Sequence, residues 1–180
     1  MKNNNQQHNK AFTVVETLVA VSILSISILA SFTAVQGGLQ SSTTARDNIT
    51  AFYLAQEAME HIKNVRDENA LHFLSDGNTN WLSGLASGSD PCDFGNVCKL
   101  DAGAGSLTVC GNAFGSCPNI KQDSNTGLFG YGSGTDTYFK REIKFESNSA
   151  NEVLVTIRVS WTSRGASHTF DLAQLLFNRQ

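Results

Sequence analysis

With 180 residues the chain has room for one modest domain plus an extension, not two full cores. A net charge of −3 and a pI near 5.7 argue against nucleic-acid binding, which shows as a basic patch or stripe. Only 16% of residues are charged while Gly, Ser, Thr and Asn abound, a composition that suits a loop-rich surface outside the cell and not a charged cytosolic enzyme.

The first eleven residues, MKNNNQQHNKA, carry Lys2 and Lys10 and no acid. Without them the chain would keep eleven bases against sixteen acids, a net of −5. A basic stretch ahead of an apolar run is the positive-inside arrangement, which puts the N-terminus in the cytoplasm. From Thr17 to Ala45 there is no formal charge, and Thr17 to Val35 is apolar or small, with Ser22, Ser25, Ser27, Ser31 and Thr33 scattered through it. A bilayer core takes about 20 such residues as a helix, and Ser and Thr are tolerated there because their hydroxyls bond back to carbonyls one turn earlier.

Glu16 sits at the start of this run. A carboxylate at bilayer depth costs about 2.5–3.5 kcal/mol even on the lenient scale. A cleaved secretory signal has a shorter apolar core ending in a small-residue cut site; Ala30 and Ala34 imitate such a site, but the run is too long and contains the acid. A plain signal anchor fits the length and leaves Glu16 unexplained. In a third reading the charge is kept because it meets a partner.

The stretch KAFTVVETLVAVSILS resembles the N-terminal processing and assembly motif of type IV pilins and pseudopilins. The resemblance covers the first quarter of the chain. It implies that a prepilin peptidase cuts between Ala11 and Phe12 on the cytoplasmic side. Phe12 then becomes an N-methylated N-terminus, with Glu16 fifth in the mature chain. The family usually has Gly before the cut; Ala11 is small enough for the same pocket and implies slower cleavage at worst. The implied partners are the prepilin peptidase, other pilin or pseudopilin subunits, an inner-membrane assembly platform and the lipid bilayer. In the filament, Glu16 of one subunit would pair with the new amine of its neighbour, an attraction that is strong in low dielectric.

Residues 1–11 thus read as a leader, 12–36 as a transmembrane and assembly helix, and 37–72 as an amphipathic extension, with a head over 73–180. Gly37 and Gly38 each cost about 1 kcal/mol against Ala in a helix, so a bend or melted turn is expected there. Beyond them Leu39, Ile49, Phe52, Tyr53, Met59, Ile62 and Val65 recur at helical spacing, one apolar stripe laid on the head. The segment AFYLAQEAMEHIKNVRDEN is rich in helix formers, and LAQEAME within it is similar to a stretch found in minor pilins and minor pseudopilins of type II secretion. A helix from Phe12 to about Leu71 would span on the order of 90 Å.

Between Gly77 and Gly134 lie twelve of the fifteen glycines, both prolines and all four cysteines, which reads as a long irregular loop region, with Trp81, Leu82 and Leu85 anchoring its start to the helix. The spacing C-x5-C-x11-C-x6-C of Cys92, Cys98, Cys110 and Cys117 contains no C-x-x-C pair, and His61, His72 and His168 stand at no zinc-finger spacing. Two disulfides are expected. Cys98–Cys110 closing a hairpin over CKLDAGAGSLTVC, with Cys92–Cys117 outside it, and the local pairs Cys92–Cys98 and Cys110–Cys117 both stay open. DGNTN and DSNTG partly resemble calcium loops but lack the downstream glycine and glutamate; Asx turns account for both. The glycines of AGAGS lack the lysine of a phosphate loop.

Residues 137–177 read as strands. In NEVLVTIRVSW, Val153, Val155, Ile157, Val159 and Trp161 alternate with polar or outward positions. YFKREIKFES places Phe139, Ile143 and Phe145 on one side, with Arg141 near the edge. NSAN and SRGAS supply turns, and HTFDLAQLLF is the third strand of an antiparallel meander. A long N-terminal helix on such a sheet, with a Gly-rich, disulfide-stapled loop region, is an α+β architecture, and the family resemblance implies the pilin fold. No nucleophile–base spacing stands out, the three histidines read as solvated, and neither enzymatic activity nor a cofactor is expected. The leading expectation is a minor pilin anchored by its helix in the inner membrane until it joins a surface filament. A minor pseudopilin of a type II secretion system and an anchored binding module that never polymerises are the alternatives.

Overall fold

The computed structural model describes residues 13–179. One helix, α1, runs Val14–Asp76. Thr13 caps its start, its Oγ1 accepting the backbone N–H of Glu16 at 3.2 Å. Its end is closed by Gly77 at φ 66°, whose N–H donates to Phe73 O at 2.8 Å, the left-handed cap that glycine adopts without Cβ strain. The melted turn expected at Gly37–Gly38 is absent: α1 passes through both without interruption, and neither has a positive φ. The glycine penalty is smaller than the cost of breaking the ladder of a helix already nucleated on both sides.

The chain forms two compact units, Met1–Ala45 and Arg46–Gln180. In the first, every described residue through Thr43 is exposed, and α1 here is long and apolar enough to cross a membrane. Ser22, Ser25 and Ser27 each donate to the carbonyl four residues earlier at 2.8 Å, so their hydroxyls carry no unmet donor into an apolar surrounding.

The second unit is α+β. Its main sheet combines β1 (Val97–Asp101), β2 (Ser106–Gly111), β6 (Phe139–Ser149), β7 (Glu152–Ser163) and β8 (Ala166–Phe177). The strand order is β2-β1-β6-β7-β8, every adjacent pair antiparallel. A small second sheet, order β4-β3-β5, pairs β3 (Lys121–Gln122) with β4 (Phe129–Gly130) and β5 (Thr135–Asp136). The meander β6–β7–β8 is the one read from the alternating residues. Its second turn holds Arg164 and Gly165 at φ 53° and 81°, the paired left-handed geometry of a two-residue hairpin.

Two expectations are corrected here. The stretch 77–134 is not irregular throughout, because β1 and β2 extend the main sheet. The hairpin left open over CKLDAGAGSLTVC is present as these two strands; its place in the main sheet rests on the two residue pairs Val97↔Lys144 and Cys98↔Ile143 between β1 and β6. The apolar stripe of α1 is also different. Met59 and Ile62 are buried and Val65 packs beside them, but Leu39, Ile49, Phe52 and Tyr53 are exposed. The face against the sheet is instead Ala51, Leu54, Ala55, Ala58, Met59 and Ile62. Small side chains let the helix backbone approach the sheet, which leaves the bulkier flanking residues outside.

Trp81, Leu82 and Leu85 are buried in the same core as Val153, Val155, Ile157, Val159 and Trp161. The Asn69 side-chain amide fixes that anchor by donating to Trp81 O at 3.2 Å and Ser83 O at 2.8 Å.

Candidate assembly site and the anchors of the head

Glu16 is the third residue of α1 and is exposed. Its backbone N–H satisfies Thr13, half of the reciprocal Ser/Thr-x-x-Glu capping arrangement. Among the described residues no cation stands within ion-pair distance of its carboxylate. Ala11 and Phe12, the expected cleavage and methylation positions, lie outside the described residues.

The head is held by charged side chains that pattern reasoning misplaced or passed over. Arg141, expected near a sheet edge, is fully buried. It shares the inner face of β6 with Phe139, Ile143 and Phe145, and its guanidinium donates to Leu54 O (3.1 Å), Leu100 O (2.8 Å) and the Glu57 carboxylate. One side chain thus ties β6 to α1 and to β1. Tyr131 closes over the same strand, its hydroxyl donating to Arg141 O at 3.3 Å, and burial pushes that phenol up to about 12.

Asp47, 3% exposed, accepts the Tyr138 hydroxyl on Oδ1 at 2.7 Å. That bond, followed by burial, raises the pKa of Tyr138 above its ordinary value. Across β7 and β8, Arg158 donates from Nε and Nη2 to the two oxygens of Asp171 at 2.8 and 2.6 Å; the bond holds Asp171 below the usual carboxylate value. Glu142, next to Arg141 but on the opposite face, is fully buried as well.

The disulfides are the local pairs, Cys92–Cys98 and Cys110–Cys117, with Cα separations of 5.9 and 5.0 Å. A β1–β2 hairpin does span residues 98–110, but it is not closed by Cys98–Cys110. Cys98 faces Val109 while Val97 faces Gly111, so Cys110 falls at a bulge. Asp76 Oδ1 accepts the N–H groups of Asn78 and Thr79, and Asp123 Oδ1 those of Asn125 and Thr126. Both calcium-like stretches are Asx turns, and these bonds depress both carboxylates. No group of three or more His, Cys, Asp and Glu converges at metal-binding geometry among the described residues.

Of the histidines, His72 is exposed, His61 is half-buried, and His168 departs from the solvated expectation by stacking on Trp161 at 5.4 Å between centroids. A groove of about 560 Å³ opens between α1 and the β3–β4 turn, lined by Tyr53, Leu54, Glu57, Glu60, Leu128 and Phe129 among others. No family model matches the chain, and neither a curated protein nor a solved structure is detectably similar to it.

Proposed function

We propose that the chain is a structural subunit of a type IV pilus-like filament, a minor pilin with a pilin-type head. On this reading it is anchored in the inner membrane by α1 until prepilin peptidase cleaves it before Phe12 and it is assembled through that helix. The observation that carries this reading is Glu16: the one carboxylate at the head of a helix that carries no other charge until Arg46.

A purely internal explanation competes with it. An acid in the first turn interacts favourably with the helix dipole, by about 0.3–1 kcal/mol. That is smaller than the cost of about 2.5–3.5 kcal/mol for a carboxylate within the bilayer. Capping therefore does not account for keeping the charge, whereas the amine released on a neighbouring subunit by cleavage does. Unassembled subunits would leave the carboxylate unmatched, so the same charge that permits assembly penalises its absence and sets the stagger between neighbours.

The test separates the two roles. Glu16→Ala is expected to insert and be cleaved normally yet fail to enter filaments. Glu16→Gln keeps a side chain able to complete a cap and loses the charge, so it is expected to fail equally. Normal filament incorporation of Glu16→Gln would eliminate the charge-pairing role. N-terminal sequencing of the exported protein is expected to begin at N-methylated Phe12. Filaments confined to the periplasm instead of the cell surface would reassign the chain to a secretion pseudopilus, whose motif KAFTVVETLVAVSILS resembles equally.

A further inference from the structure

Arg141 and Glu142 are consecutive on β6 and therefore point to opposite faces of the sheet. The burial of Arg141 follows from α1, which covers its face. Glu142 lies on the face that α1 does not cover, yet it too is fully buried. What covers it is the loop closed by Cys110–Cys117. The Gly115 N–H donates to both carboxylate oxygens, at 2.8 and 2.7 Å, and the N–H of Cys117 itself donates to Oε1 at 3.0 Å. Backbone N–H groups of one short turn converging on an anion make an anion-binding concavity, and here the anion belongs to the protein.

The remaining contacts hold the same loop from the strands beneath. Lys140 Nζ donates to Gly115 O at 2.7 Å, and the Arg158 guanidinium lies 4.3 Å from the Phe114 ring centroid while paired with Asp171. The loop has little to order it from within. Gly111 and Gly115 loosen its backbone, and its internal side-chain bond is Ser116 Oγ to Ala113 O at 2.7 Å. A competing thiol is also close at hand, because Cys110 occupies the bulge beside Cys98 across the β1–β2 hairpin.

We propose that Glu142 is the template that selects the Cys110–Cys117 disulfide during oxidative folding. The carboxylate gathers the N–H groups of Gly115 and Cys117 before oxidation, so residues 111–117 fold back and carry the Cys117 thiol to Cys110, away from pairing with Cys98. The oxidant is a small or protein disulfide, RSSR. One cysteine thiolate attacks it and expels RS⁻. The second thiolate attacks the resulting mixed disulfide and expels the other RS⁻. The two cysteines lose two electrons and two protons in all, and RSSR leaves as two RSH. Glu142 exchanges neither protons nor electrons; it is a positioning residue. The inference stands apart from the filament reading and holds whatever the head does.

The experiment is refolding of the reduced, full-length chain in detergent micelles with reduced and oxidised glutathione, followed by acid quenching and non-reducing peptide mapping. The parent chain is expected to return Cys92–Cys98 and Cys110–Cys117. Glu142→Ala is expected to lower the Cys110–Cys117 share at least about tenfold, the equivalent of losing one hydrogen bond to a charged group, with Cys98–Cys110 taking its place. Glu142→Gln, which keeps one acceptor oxygen, is expected to fall between, and Lys140→Ala is expected to keep the parent pattern. Should Glu142→Ala fail to fold, the same substitution in a chain carrying Cys92→Ser and Cys98→Ser removes the competitors. There the effective concentration of the Cys110–Cys117 pair, read against glutathione, is expected to drop about tenfold. Unchanged pairing in Glu142→Ala, an unchanged effective concentration in the Cys→Ser background, or equal scrambling by Lys140→Ala would each overturn the assignment.

Discussion

Replacing Arg141 by alanine is the sharpest perturbation of the head, because two kinds of interaction end on that one side chain and differ in expected size. The guanidinium donates to two backbone carbonyls, Leu54 O and Leu100 O, from a fully buried position. Hydrogen bonds from a charged donor contribute about 1.5–3 kcal/mol each. Against that, Arg141 Nε is buried without a partner among the described residues, which offsets part of the gain. The ion pair with Glu57 is smaller, since the Glu57 side chain is 45% exposed and solvent screening reduces such pairs to about 0–1 kcal/mol.

The working estimate is therefore about 3–4 kcal/mol for Arg141→Ala, including the cavity. Arg141→Met fills the space and still leaves the carbonyls without that donor, so about 2 kcal/mol is expected. Glu57→Gln should cost no more than about 0.5 kcal/mol. Urea unfolding of the full-length chain in micelles, followed by the fluorescence of the buried Trp81 and Trp161, measures all three. An Arg141→Ala cost below about 1 kcal/mol would refute the clamp. A Glu57→Gln cost equal to that of Arg141→Ala would show that the exposed ion pair, not the backbone contacts, carries the energy.

Tyr138→Phe removes the donor to Asp47 Oδ1 and leaves a 3%-exposed carboxylate whose Oδ2 already lacks a partner among the described residues. A loss of about 2–3 kcal/mol is expected, largely recovered in the double variant with Asp47→Leu; a double variant no better than Tyr138→Phe alone would contradict it. For pH, Asp171 is held below its ordinary value of 3.8, first by its hydrogen bond to Arg158, and Asp76 and Asp123 are lowered by their turn N–H groups. A depressed carboxylate contributes stability that is complete above the unfolded value and is lost as pH falls through the folded one. Thermal midpoints should therefore fall below about pH 4, and Asp171→Asn should make that acid limb shallower; an unchanged limb would remove Asp171 from the account.

What the sequence carried depended on the distance over which each feature is decided. The alternation from Val153 to Trp161 was legible because sidedness along a strand is local, and all five of those residues are buried. The existence of α1 was legible for the same reason, but the orientation of its face was not. That orientation is set by a sheet whose long strands β6–β8 begin at Phe139, far along the chain, which favours Ala51, Ala55 and Ala58 at the contact over the larger Phe52 and Tyr53. Arg141 reads as an edge residue on charge alone. Its burial is licensed by acceptors 87 and 41 positions away, which no window of sequence displays. Glu142 gave no signal at all, since its donors are the backbone N–H groups of a glycine-rich loop.

The carboxylates of the chain can be compared by how each is matched. Glu142 is buried and is met by two backbone N–H groups from its own disulfide loop. Asp47 is buried and is met by the Tyr138 hydroxyl. Asp171 is partly exposed and is met by both faces of a guanidinium fork. In each case the fold itself supplies at least one donor to the carboxylate, as the cost of an unpaired buried charge requires. Glu16 breaks this pattern among the described residues: its environment along α1 is the most apolar in the chain, and only its backbone, not its carboxylate, is engaged. Water meets that charge in the isolated chain. On the proposed reading α1 enters a bilayer, the water is withdrawn, and a cation from outside the described residues takes its place. The physical demand that this reading places on Glu16 is the one already visible at Glu142, with the donor moved from the same chain to another.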